Sequence, residues 1–226
     1  MSGLFNYDNK VFSALDKIIN LFYISILWVI FSIPIFTIGA STTALYYTVH
    51  KVLRHNRGYV FSEFWHSFKA NFKQATILWI IVGGIALIVG KVDIGMWLSK
   101  NPAMPFGLVW LKNVFWVLFI MVLILDVALS IYIFPYLARF ENTNKQIIKN
   151  VAIIACVNFP YTVVLLIMLA VSAFLIWTVL PLMIFLPALC ILGMNYILEK
   201  IFRKYMTDEQ CKTEDEANEE YHNHYR

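Results

Sequence analysis

VAIIACVNFPYTVVLLIMLAVSAFLIWTVLPLMIFLPALCILGMNY, residues 151–196, is a run of 46 positions without a charged side chain. Asn158, Pro160, Ser172, Pro181 and Pro187 are among its few interruptions. A bilayer core about 30 Å thick needs ~20 apolar residues in a helix rising ~1.5 Å per residue. The run is long enough for two crossings, over residues 151–171 and 177–197.

Composition places the whole chain in the same class. Hydrophobic residues make up 60% of it, charged residues only 14%, and the mean hydropathy is +0.69. An ordinary soluble domain carries roughly 25% charge, so a soluble fold is excluded. Three further stretches qualify as spans: residues 21–38, which include Pro34, residues 75–90 and residues 114–136. The expected fold is all-α, a polytopic helical membrane protein of about five transmembrane helices over residues 1–206. The first span has no strongly basic start and no clear small-x-small cleavage site after it, so it reads as retained rather than as a signal peptide.

Basic residues set the expected orientation. Thirteen of the 18 Lys and Arg fall in the 41–74 loop, the 137–150 loop and the C-terminal segment. Five fall on the alternate side, and the more basic side is expected to be cytoplasmic. That puts the N-terminus outside and the C-terminus inside a plasma membrane. The net charge of +4 does not indicate nucleic acid, because the cations flank apolar spans and meet anionic headgroups there. The last segment, 207–226, holds half of the 14 acidic residues and reads as a disordered tail.

No nucleotide-binding, metalloprotease or nucleophile-elbow motif is present, which points to a non-enzymatic chain without catalytic residues, cofactor or metal. The His222 and His224 pair near Glu219 and Glu220 has no fixed frame in such a tail. Cys156, Cys190 and Cys211 read as free thiols.

Residues 60–73 show a helical period on the cytoplasmic side. Phe61, Phe64, Trp65, Phe68 and Phe72 share one face, while Ser62, Glu63, Ser67, Lys69, Asn71 and Lys73 take the other. Two readings fit this amphipathic helix: a helix lying in the headgroup layer, or a docking face for a partner subunit. Asp126 is the ionisable residue set deep in a span, where an unpaired carboxylate costs ~3 kcal/mol or more. Asn158, Tyr161, Thr162, Ser172 and Asn195 are polar groups within reach of hydrogen bonding in such a bundle. Asp126 then serves as a neutral tie between helices, as part of a substrate or proton path, or as an intersubunit contact.

Several segments carry a family resemblance. They are Asn6-Tyr7-Asp8-Asn9-Lys10, the stretch Ile35-Phe36-Thr37-Ile38-Gly39-Ala40 with Ala44-Leu45-Tyr46-Tyr47, and Phe68 to Ala75. Phe140-Glu141 and Ile148-Lys149-Asn150 complete the set. Together they resemble the YesL-type family of small membrane proteins of Gram-positive bacteria, over residues 4–204. The Gly39–Tyr47 and Asn71–Ala75 segments are the specific part. The resemblance implies association with importers of the ABC type that take up oligosaccharides, in the company of two permeases, and it supplies no catalytic residue. The expected role is an accessory subunit that aids assembly or gating of the permease pair, with lipid bilayer and permeases as partners and no nucleic acid. A small independent transporter with a cavity near Asp126, or a membrane-bound sensor, are the other readings.

Overall fold

A computed structural model describes residues 10–98 and 109–224. Among them the chain is helical apart from short turns, with no strand. Helix α1 is Lys10–Ser32, followed by a 3-10 turn at Ile35–Thr37 and α2 at Ile38–Thr48, which runs on as a π-helical segment, Val49–Arg54. Next come α3 (Val60–Leu98), α4 (Val109–Arg139), α5 (Asn144–Val157) and α6 (Phe159–Thr178). A 3-10 turn at Leu180–Ile184 leads to α7 (Leu186–Phe202) and α8 (Asp208–His224).

Four helices are long and apolar enough to cross a membrane: Leu15–Ser32, Val60–Ile88, Trp116–Arg139 and Phe159–Thr178. The all-α membrane class is therefore what the chain forms, with boundaries that differ from the five expected spans. The first span stops at Ser32 because Pro34 disfavours a helical residue before it. Helix break and restart at Asn158 split the run expected over 151–171. Pro160 sits in the first turn of α6, where its missing N–H costs nothing, and Asn158 Nδ2 donates to Ile154 O at 2.9 Å. The stretch expected as a fifth span, 177–197, is not one helix, since Pro181 falls in the 3-10 turn and α7 begins only at Leu186, with Pro187 in its first turn.

Two expected elements are fused. Residues 60–73 and 75–90 lie in one 39-residue helix, α3, because neither proline nor glycine interrupts Val60–Val82. The tail is also not disordered. Thr207 and Gln210 bond each other's backbone N–H groups at 3.3 and 3.1 Å, a reciprocal cap. Asp208 and Glu209 in the first turn favour the helix dipole, and helix-forming Glu and Gln continue it. Acidic composition predicts disorder, but here it supplies a helix that Arg57, Arg139 and Arg203 hold.

Helix α2 is the centre of the molecule. Gly39, Ala40, Ser41, Thr43, Ala44, Leu45, Tyr46 and Thr48 are all buried, and α1, α3, α4 and α7 pack around them. Small side chains make this possible: a Cβ on Gly39 would sit 2.7 Å from Ala75 O and from Trp79 Cβ, and 2.8 Å from the Phe134 ring. Close approach of this kind is how helices associate in membranes. Ser41 and Thr42 serve the same packing. Ser41 Oγ lies 2.6 Å from Ser32 Oγ, and Thr42 accepts from Trp28 Nε1 at 3.2 Å.

Candidate functional site

Tyr46, His50 and Arg54 recur every fourth residue along α2 and its π-helical end. Asn195 and Glu199 have the same spacing on α7, and the two faces meet. Tyr46 Oη donates to Glu199 Oε1 at 2.8 Å, and Arg54 Nη1 donates to Asn195 Oδ1 at 2.9 Å. Arg139, the last residue of α4, places Nε 3.1 Å from Glu199 Oε1. From α8, Glu214 reaches in with both oxygens: Oε1 lies 2.9 Å from His50 Nε2 and Oε2 accepts from Arg139 Nη2 at 2.5 Å. Four helices thus converge on one buried ionic cluster.

Arg54 decides how the cluster is wired. Because it donates to Asn195 Oδ1, the Asn195 amide nitrogen, 3.3 Å from His50 Nδ1, is the donor toward that ring. His50 thus sits between Asn195 and Glu199 at Nδ1 and Glu214 at Nε2. Arg139 stands against both carboxylates, and Arg54 meets the cluster through Asn195, so the buried charges of Glu199 and Glu214 are opposed at close range.

At the rim, Lys51 Nζ pairs with Glu63 Oε2 at 2.7 Å and donates to Tyr47 Oη at 3.3 Å. Burial alone would lower the Lys51 pKa, but Glu63 and Tyr47 outweigh it and raise it. Asn56 and Gly58 take positive φ, 53° and 77°, to turn the chain into α3. A side chain on Gly58 would run into Glu63 and break that pair's setting. Arg57 Nη1 donates to Asn218 Oδ1 at 2.9 Å and Arg203 Nη2 to Asp215 Oδ1 at 2.6 Å, so three basic sites grip α8.

Acid should release that grip. Burial opposes the charge on Glu214, but hydrogen bonds from His50 and Arg139 prevail and hold its carboxyl well below its ordinary 4.5. Its stabilising share is full above about 4.5 and is lost as pH falls through the lower folded value. His55 is pushed from 6.5 to about 4 by burial, then by His50 and Arg54. The undocked form therefore takes up the His55 proton first, and docking weakens as pH falls from 6.5 toward 4. Hydrogen exchange of the α8 amides, corrected for intrinsic rates, should rise from pH 7 to pH 4. Constant protection over that range would refute the arrangement.

The residues expected as a docking face divide. Phe64 and Phe68 are buried, packed on Phe31 with centroids 5.5 and 5.0 Å away, and are core residues rather than docking residues. Phe61, Trp65 and Phe72 remain exposed, with Lys69 Nζ 5.3 Å from the Trp65 ring centroid. Ser67, expected on the polar face, is buried beside Phe64 and Phe68, so the side of the helix that turns inward toward α1 is not the one that the period divides. Asp126 is buried, and among the described residues no hydrogen bond or ion pair reaches its carboxylate. Asn158 bonds Ile154 and Tyr205, Thr162 bonds Tyr132, and Asn195 belongs to the ionic cluster. Ser172 bonds Leu169 O, so four of the five expected polar partners of Asp126 have other partners.

Sequence reasoning did not single out His50, His55, Arg139, Glu199 or Glu214. The signal available was the i, i+4, i+8 spacing of Tyr46, His50 and Arg54, which faces polar groups along one side of an otherwise apolar helix.

One family model matches residues 21–91, described as a protein of unknown function, DUF624. YesL-like proteins are grouped in that family, so the match agrees with the resemblance at that level. The matched part runs from α1 through α2 into α3, and takes in His50, Arg54, His55 and Glu63 but not Arg139, Glu199 or Glu214. No curated protein and no solved structure matches the chain.

Proposed function

We propose that this protein is a non-enzymatic accessory subunit in a bacterial plasma membrane, one that binds the permease pair of an ABC-type oligosaccharide importer and aids its assembly or gating. The resemblance to YesL-type proteins supports the choice of partner. The observation that carries the reading is the exposed aromatic row of Phe61, Trp65 and Phe72 on α3. At 39 residues α3 is about 58 Å long, well beyond a core of about 30 Å, so part of it stands clear of the hydrocarbon. Phe61, Trp65 and Phe72 lie toward the N-terminal end of this helix, and exposed aromatic side chains there suit a protein partner, where they are favoured at hot spots. In this reading the ionic cluster and α8 face the cytoplasm, as the basic-residue count favours.

The test is co-purification from native membranes in mild detergent. Phe61→Ala, Trp65→Ala and Phe72→Ala combined should leave the protein inserted at normal levels, lower the yield of importer subunits several-fold and slow oligosaccharide uptake. Leucine at the same three positions separates specific contact from lipid affinity, because it keeps the hydrophobicity. Equal yields for wild type, the Ala variant and the Leu variant would sink the docking face. In intact cells an impermeant thiol reagent should miss Cys211; labelling it there would reverse the orientation.

A further inference from the structure

A cavity of about 170 Å³ opens beside the ionic cluster, and His50, His55 and Glu214 are among the residues lining it. One ligand-capable atom from each lies within 4.8 Å of the other two. The His50 and His55 rings meet edge to face with centroids 4.7 Å apart. From this geometry we infer that His50, His55 and Glu214 form a binding site for a divalent transition-metal ion, with zinc the best fit.

The donor set selects the class of ion. Two imidazoles and a carboxylate suit zinc and leave a fourth tetrahedral position open to water. Magnesium and calcium prefer oxygen donors throughout. Ligand atoms about 2.0–2.2 Å from a tetrahedral ion stand roughly 3.4 Å apart. His50 Nε2 and Glu214 Oε1, at 2.9 Å, are already close enough, and His55, on the turn after the π-helical segment, must shift by on the order of 1 Å.

A second observation comes from the far side of the His50 ring. Glu199 Oε1 lies 3.4 Å from His50 Nδ1. Metal-bound histidines commonly donate their other ring N–H to a carboxylate, which fixes the ring and raises its basicity. With Nε2 on the ion, Glu199 stands at the other ring nitrogen, in the place such a carboxylate takes. Tyr46 and Arg139 hold Glu199 in place, and Arg139 takes Glu214 Oε2, which leaves Oε1 for the ion. Arg139 and Lys51 face carboxylates, whereas Arg54 and Arg57 meet neutral amides, so the Glu214 carboxylate and the nearby Glu199 are the groups that offset the charge of an ion here. A bound ion would tie α8 to the turn at His55.

The full-length protein in detergent, stripped with chelator, should be titrated with Co²⁺ and then Zn²⁺, with bound metal measured after desalting. One ion per chain is expected, and Co²⁺ should give the visible absorption of a four-coordinate site. His55→Gln and Glu214→Gln should each weaken binding by about 10-fold or more. His55→Gln leaves the Glu214 ion pairs intact, so its loss of affinity cannot be assigned to undocking of α8; hydrogen exchange of α8 checks this. His222→Ala with His224→Ala should leave the affinity unchanged. Wild-type protein that retains no metal in micromolar Zn²⁺ would overturn the site. So would binding that survives both Gln variants and is lost with the tail histidines.

Discussion

Glu199→Leu should destabilise the protein by about 3–5 kcal/mol, the usual cost of removing one partner from a buried ion pair. Glu199 is 2% exposed, and its Oε1 is shared by Tyr46 Oη and Arg139 Nε. Leucine fills the space but leaves a phenol without an acceptor and a guanidinium short of half its counter-charge. Glu199→Gln keeps an oxygen for Tyr46 and loses only the charge, so it should fall between wild type and Leu. Thermal midpoints in one detergent give the comparison. Equal midpoints for Leu and wild type would show that the cluster does not stabilise the fold.

Phe64→Ala is the second large effect, expected at about 3–5 kcal/mol. The ring is fully buried, tilted against Phe31 at 5.5 Å and stacked with Phe68 at 6.4 Å, in the place where α1 meets α3. Truncation leaves a cavity between two helices that cannot close, since Trp65 and Phe68 also rest on Phe31. Phe61→Ala, one helical turn away and half exposed, should change stability by less than about 0.5 kcal/mol. The contrast can be read from yield and midpoint of the two single variants. If both behave alike, the division of this aromatic face into core and surface is wrong.

Hydrophobic runs and helical periods were enough to read the chain as an all-α membrane protein. They could not place its boundaries. Pro34, Pro160, Pro181 and Pro187 each end or restart a helix within an apolar run, and hydropathy does not register backbone geometry. Period alone also could not say that α1 covers Phe64 and Phe68 while leaving Phe61 and Trp65 open. The ionic cluster was hidden for another reason. Its members come from α2, α4, α7 and α8, with His50 and Glu214 164 positions apart, so the pairing exists only after the helices pack. Glu214 was further disguised by six acidic neighbours in the same tail.

The π-helical segment Val49–Arg54 carries a length requirement that composition does not reveal. Its hydrogen bonds reach one residue further than those of an α-helix, so it holds a residue that a regular helix of the same span would omit. Shortening it by one would restore regular winding and leave Tyr46 and Arg54 seven positions apart, still on one face of an α-helix, so the contacts to Glu199 and Asn195 would both stay within reach. What such a deletion changes is the wider turn between them, where Val49, His50, Val52 and Leu53 are buried. The extra residue therefore serves the middle of the segment rather than its two ends.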